Sequence, residues 1–174
     1  MLLSDGRTIA IANGGIATNP DFGRTKLNLA TMAPSLVYLD AATGDVLERA
    51  ELPSSLHQLS IRHMAEAGDG SVWFGGQYEG AETDVVDLVG AHRRGGQPTL
   101  VTAAPDAYSG MRQYVGAVAA NRDGTRIAAT SPVGGRMLVF DVATGNVVSI
   151  RDVADVCGVT GDGGDFFSSD GRGR

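Results

Sequence analysis

Internal repetition is the strongest constraint in this sequence. Leu36-Val37-Tyr38-Leu39-Asp40-Ala41-Ala42-Thr43-Gly44-Asp45-Val46-Leu47 is matched by Met137-Leu138-Val139-Phe140-Asp141-Val142-Ala143-Thr144-Gly145-Asn146-Val147-Val148, 101 residues further on. Each copy reads as a short apolar strand, an Asp-x-Ala-Thr-Gly turn and a second strand. The Asp carboxylate can accept from backbone amides two residues on, and the Gly supplies the positive φ that the turn needs. Any other residue there would meet its own backbone with its Cβ.

A second element recurs at Asp5-Gly6, Asp69-Gly70, Asp123-Gly124 and Asp162-Gly163. Three of these follow short strands at Leu59–Ile61, Val115–Ala117 and Cys157–Val159. All four precede another strand, at Ile9–Ala12, Val72–Gly75, Ile127–Ala129 and Phe166–Phe167. One unit is therefore strand, Asp-Gly hairpin, strand, loop, strand, Asp-x-Ala-Thr-Gly hairpin, strand. Four antiparallel strands recurring at about 40 to 60 residues make the blade of a propeller. The 101-residue offset then spans two blades.

The expected fold class is all-β: a partial β-propeller of about three four-stranded antiparallel blades. Residues 1–174 form one incomplete domain, with blades at 6–52, 57–105 and 113–152 and the start of a further blade at 155–174. The first blade is expected to lack its innermost strand and the last to stop after two. Closed propellers hide their strand edges, and open edges invite pairing. The chain is accordingly expected to be a piece of a longer ring. No segment keeps a helical period over three turns, which excludes a βαβ reading, and Gly14-Gly15 is no dinucleotide fingerprint.

Composition narrows the function. The formal net charge is −6, with 14 Lys and Arg against 20 Asp and Glu. This disfavours nucleic acid, whose phosphates call for clustered cations. The Arg93-Arg94 pair sits in a Gly-rich loop and is expected to be solvated. The single cysteine, Cys157, excludes an intrachain disulfide and a cysteine-rich zinc site. No apolar run is long enough to span a bilayer as a helix. The first residues have neither the basic nor the long apolar region of a signal peptide.

Several blocks resemble the DUF1513 family of bacterial proteins. They are Ala12-Asn13-Gly14-Gly15-Ile16, Gly23-Arg24-x-Lys26-Leu27-Asn28-Leu29 and Met32-x-Pro34-Ser35-Leu36. They continue with Leu56-His57-Gln58-Leu59-Ser60-Ile61-Arg62-His63 and Gly75-x-Gln77-Tyr78-x-Gly80, then Met111-Arg112-x-Tyr114-Val115-Gly116 and Ser131-Pro132-x-Gly134-Gly135. The resemblance implies a seven-bladed propeller exported to the periplasm, in a setting near imelysin-type iron-uptake proteins. It carries no reaction with it. Where the family pattern tends to His-Pro, this chain has Asn19-Pro20, which weakens a metal reading there.

Candidate ligand-binding residues follow from the expected channel and rim. An inner strand read from residue 57 places Gln58, Ser60, Arg62 and Met64 on one face and His57, Leu59, Ile61 and His63 on the other. Arg62, together with Arg112 and Tyr114 near the next inner strand, suits an anion. Asn13 and Arg24 lie in a connection of about 20 residues, a length typical of functional loops. Gln77 completes the set. His57 and His63 are weak metal candidates: six residues of extended strand hold them roughly 20 Å apart, too far for one ion. Glu79, Glu82, Asp84 and Asp87 are too loosely spaced for calcium, and Gly161-Asp162-Gly163-Gly164-Asp165 is a single copy of a pattern similar to a calcium-binding repeat. No nucleophile motif is present.

The expected function is a non-catalytic, exported propeller that binds a ligand or an envelope partner, in an iron-related setting. The alternative is a propeller enzyme, lactonase-like or quinoprotein-like, with chemistry at the channel. The sequence names no cofactor. The remaining blades of the parent ring are the other expected partner.

Overall fold

The Asp-Gly pairs turn hairpins, as their chemistry dictates. In a computed structural model, which describes residues 1–23 and 25–174, Gly6, Gly70, Gly124 and Gly163 adopt φ of +65°, +79°, +67° and +55°. Asp5, Asp69 and Asp123 each accept the amide two residues on, from Arg7 (2.9 Å), Ser71 (2.9 Å) and Thr125 (3.2 Å). Each also accepts a hydroxyl, from Thr8 (2.6 Å), Ser71 (2.6 Å) and Thr125 (2.7 Å).

The repeated Asp-x-Ala-Thr-Gly turns close in one way. Gly44 and Gly145 sit at φ +78° and +73°, and each donates to the carbonyl of its own Asp at 2.8 Å. Asp40 takes the amides of Ala42 and Thr43, and Asp141 takes the amide and hydroxyl of Thr144. Both hairpins carry a register shift, after Tyr38 and after Val139, so the repetition reaches down to the bulge.

These turns organise four antiparallel sheets. The first holds β1 (Thr8–Asn13), β2 (Ser35–Asp40) and β3 (Val46–Glu51). The second holds β4 (Leu59–Glu66), β5 (Val72–Tyr78), β6 (Val89–His92) and β7 (Thr99–Leu100). The third holds β8 (Ala117–Ala120), β9 (Arg126–Ser131), β10 (Arg136–Asp141) and β11 (Val147–Asp152). The fourth pairs β12 (Val156–Asp162) with β13 (Asp165–Asp170). The α-helix of the described residues is one short turn, α1 (Pro105–Ser109). Met1–Leu3, where no strand was expected, bonds antiparallel to β1 as a short inner edge.

Sheets stack through their inner strands: β4 lies against β1 and β8, and β12 against β8 and β9. This is the arrangement of propeller blades, and the fold is an all-β partial propeller. The inner hairpin turns are linked in series. Ser4 donates to Glu66, Gly68 to the carbonyl of Gly124 at 2.9 Å, and Arg122 to the carbonyl of Gly163 at 3.0 Å. A Cβ on Gly68 would overlap the Asp123 carbonyl, and one on Gly124 would overlap the Gly68 amide.

Between the second and third sheets, Trp73 and Tyr108 close on Phe140 at ring distances of 5.8 and 6.3 Å. Burying each such ring contributes about 2 kcal/mol. Between the first and second sheets, the Tyr38 hydroxyl and Nδ1 of buried His92 share a hydrogen bond of 2.7 Å, with His92 Nε2 facing the Gly96 carbonyl at 3.2 Å. Arg93 and Arg94 are not simply solvated. Arg93 pairs with Asp69, and Arg94 donates to Thr8 at 3.1 Å with its guanidinium 5.9 Å from the Tyr38 ring centre. The loop after β6 thus clamps the neighbouring sheet. The far face of the first sheet sets Ile9 against Leu39 and Ile11 against Val37, an apolar surface only partly covered.

Two predictions follow from the turns. Gly124→Ala should lower stability by about 2–4 kcal/mol, because overlap with Gly68 adds to backbone strain. Gly70→Ala has the same positive φ but open space around its Cβ position, and should cost only about 1 kcal/mol. Equal losses in urea unfolding would refute the contact between turns.

The turn carboxylates also predict an acid limit. The Thr8 hydroxyl, then the Arg7 and Thr8 amides, bring Asp5 down to about 2. The Ala42 amide chiefly lowers Asp40, and the Thr125 and Thr144 hydroxyls chiefly lower Asp123 and Asp141. Folded pKa values below the unfolded value of about 4 add stability that is complete above that pH and lost as pH falls toward 2. Urea midpoints should hold from pH 7 to about 5 and then drop between 4 and 2, less steeply in Asp5→Asn.

Candidate functional site

The described residues of the long β1–β2 connection fold as a flap. Asn28 stitches its two arms by accepting from the Ala17 amide at 2.6 Å and donating to the Gly15 carbonyl at 2.9 Å. Asn13 accepts the Gly15 amide at 3.2 Å and so shapes the bend at Gly15, where φ is +71°. The flap lies over the second sheet closely enough that a Cβ on Gly14 would meet the Ser60 hydroxyl. Between flap and sheet runs an open cleft of about 810 Å³.

A bulge in β4 decides what faces that cleft. Ile61 pairs with Gly76 and His63 with Gly75, so Arg62 is the extra residue. The alternation expected along the strand therefore breaks. Arg62 and His63 both line the cleft with Ser60, whereas Met64 packs on the core. His57 is not in the strand at all. It follows the 3-10 turn Ser54–Leu56, with Nδ1 3.0 Å from the Ser54 carbonyl. The two histidines thus share neither a face nor a site. Among the described residues, no three His, Cys, Asp or Glu side chains gather in metal-binding geometry.

The electrostatics centre on Glu79. Its side chain is 5% exposed and is held by the Lys26 ammonium and by Arg62 Nη2 at 3.3 Å. One buried carboxylate thus anchors two cations that reach the cleft wall. The described lining contains Lys26 and Arg62 and no carboxylate, with Asn13, Ser60 and Gln77 as neutral polar groups. Burial, and then the Arg62 charge, lower the His63 pKa and favour its neutral form.

The expected site residues divide. Asn13, Arg62 and Gln77 come together in this cleft. Gln58 lends its carbonyl to the Glu79 amide at 2.9 Å but does not line the cleft. Tyr114 bridges Gln77 through the backbone. Arg112 lies in a different pocket. Arg24 lies outside the described residues. Sequence reasoning passed over Glu79, read as one of an acidic stretch, and Lys26, named only within a block similar to the family. Glu79 occupies the unassigned position of Gly75-x-Gln77-Tyr78-x-Gly80, directly after a buried strand, which was the available signal.

The stacked sheets and the cleft at their inner edge define the class: a stretch of β-propeller with a polar, cation-lined groove between neighbouring blades. The chain belongs to the DUF1513 family, whose model, "Protein of unknown function (DUF1513)", matches residues 1–174. No curated protein matches the chain. A chain from "Crystal structure of Nidogen/Laminin Complex" is similar at 16% identity and a TM-score of 0.49. The match covers 78% of this chain and 49% of that one, so this chain spans about half its length.

Glu79→Gln should release both cations. Losing the charge-assisted bonds of a buried group should reduce stability by about 1–3 kcal/mol at low salt. Urea unfolding at pH 7 checks this, and an unchanged midpoint would show that the carboxylate holds nothing.

Proposed function

We propose that this protein is a non-catalytic, exported β-propeller that binds a small anionic ligand in the cleft between its first two sheets. The observation that carries the reading is the lining itself: two cations, Lys26 and Arg62, positioned by a carboxylate buried behind them. Guanidinium and ammonium groups bind carboxylate or phosphate oxygens, and Asn13, Ser60 and Gln77 supply orienting hydrogen bonds. Gly14, Gly15 and Gly23 complete the lining on the flap side. Export and an iron-related setting rest on the family resemblance and make a polycarboxylate the first ligand to try. In this reading further blades cover the apolar far face of the first sheet and Phe167 of the fourth, which is 65% exposed.

Citrate titrated into the purified chain at low salt, followed by amide NMR shifts, tests the proposal. Shifts should concentrate at residues 13–16, 60–63 and 77. Arg62→Gln should weaken binding about tenfold to a hundredfold, the cost of one charge-assisted bond. The absence of shifts at millimolar citrate, or equal affinity in Arg62→Gln, would remove the anion reading. Titration with ferric citrate alongside tests the iron connection: tighter binding than free citrate supports it, and equal or weaker binding counts against it.

A further inference from the structure

A second pocket, of about 340 Å³, opens between the β5–β6 connection and the segment leading into β8. Its floor is apolar and firm: Leu88 is 1% and Tyr108 2% exposed. The Tyr108 hydroxyl is already engaged with the Val101 carbonyl at 2.7 Å, so the ring presents carbon to the pocket. Val133, from the β9–β10 turn, adds a third apolar wall and is 51% exposed.

The polar side is built by an unusual backbone. Arg112 and Gln113 follow one another at φ +49° and +58°, two side-chain-bearing residues in the left-handed region. Each costs of order 1 kcal/mol, and such strain persists where the surroundings enforce it, often at ligand sites. The enforcement is visible. Gln113 accepts the Tyr78 amide on its carbonyl at 3.0 Å, and its side chain donates to the carbonyls of Ala81 (2.8 Å) and Asp84 (2.9 Å). Gln113 thus pins the opposite loop in place as the facing wall. The same turn presents Arg112 to the pocket, where its guanidinium has no hydrogen-bond or ion-pair partner among the described residues. Glu82 and Asp84 line the opposite side, Asp84 also accepting the Tyr78 hydroxyl at 3.0 Å.

We propose that this pocket binds a small zwitterion with an apolar body, an α-amino acid of the leucine class. Its carboxylate meets Arg112, its ammonium meets Glu82 and Asp84, and its side chain rests on Leu88, Tyr108 and Val133. A free anion is disfavoured because two carboxylates outnumber one guanidinium, and a free cation because it would leave Arg112 unmatched. The volume sits at the small end of ligand pockets, which suits a single amino acid. The site is separate from the cation-lined cleft and independent of the reading given to it.

The test is NMR titration of the purified chain with L-leucine, glycine, L-leucinamide and N-acetyl-L-leucine. Leucine should shift residues 82–88 and 108–113. Leucinamide, lacking the carboxylate, and N-acetyl-leucine, lacking the ammonium, should each bind at least tenfold more weakly, and glycine should lose the apolar contribution. Arg112→Gln should weaken leucine about tenfold while leaving the response to citrate at residues 60–63 unchanged. Glu82→Gln, in an exposed loop, repeats the test without touching the strained turn. Leucine binding that is absent, equalled by leucinamide, or insensitive to both variants would overturn the proposal.

Discussion

The structure depends on the close approach of one inner hairpin turn to the next. Gly68 and Gly124 bring two turns within hydrogen-bond distance, and Arg122 repeats the contact with Gly163. Neither glycine of the first contact has room for a Cβ. Beyond the turns, neighbouring sheets pack through Trp73, Tyr108 and Phe140 on one side and through Tyr38 with His92 on the other. Burial on this scale supplies the main favourable energy, and the turn contacts hold the inner strands of neighbouring sheets together.

Clefts open where the stacking leaves gaps. The flap from the first sheet covers the second only partly, and Glu79 fills that seam with a buried charge. A lone buried carboxylate would be costly, and Lys26 with Arg62 compensate it while keeping their own outer faces in water. The same C-terminal end of β5 also meets a second segment. Residues 113–115 hydrogen-bond to it beside β6, and the left-handed pair Arg112-Gln113 turns the chain there. One strand thus separates a cationic cleft from a mixed-charge pocket with an apolar floor.

The sheet order and the repeated turns were legible because each depends on local chemistry. Asp beside Gly, flanked by short apolar runs, has few conformations open to it, and both Asp-x-Ala-Thr-Gly copies fold alike down to the bulge. The faces of β4 were not legible. A period of two is a sound guide until one extra residue enters, and nothing in Ile61-Arg62-His63 announces that it does. The expected split between a histidine face and an arginine face failed for that reason, and His57 left the strand altogether. Arg93 and Arg94 are exposed as expected, but their partners, Asp69 and Thr8, were not legible because they lie 24 and 86 residues away.

What the sequence determined by itself was the all-β repeat: which residues turn, which strands pair, and that the units recur. Those features rest on hydrogen bonds and φ preferences spanning a few residues. Only the tertiary structure decided which polar groups share a site. It joined Lys26 to Glu79 across 53 residues, brought Asn13 to Arg62, and sent Arg112 to a pocket of its own. Such groupings depend on how neighbouring sheets pack and where a bulge falls, and neither follows from local preference.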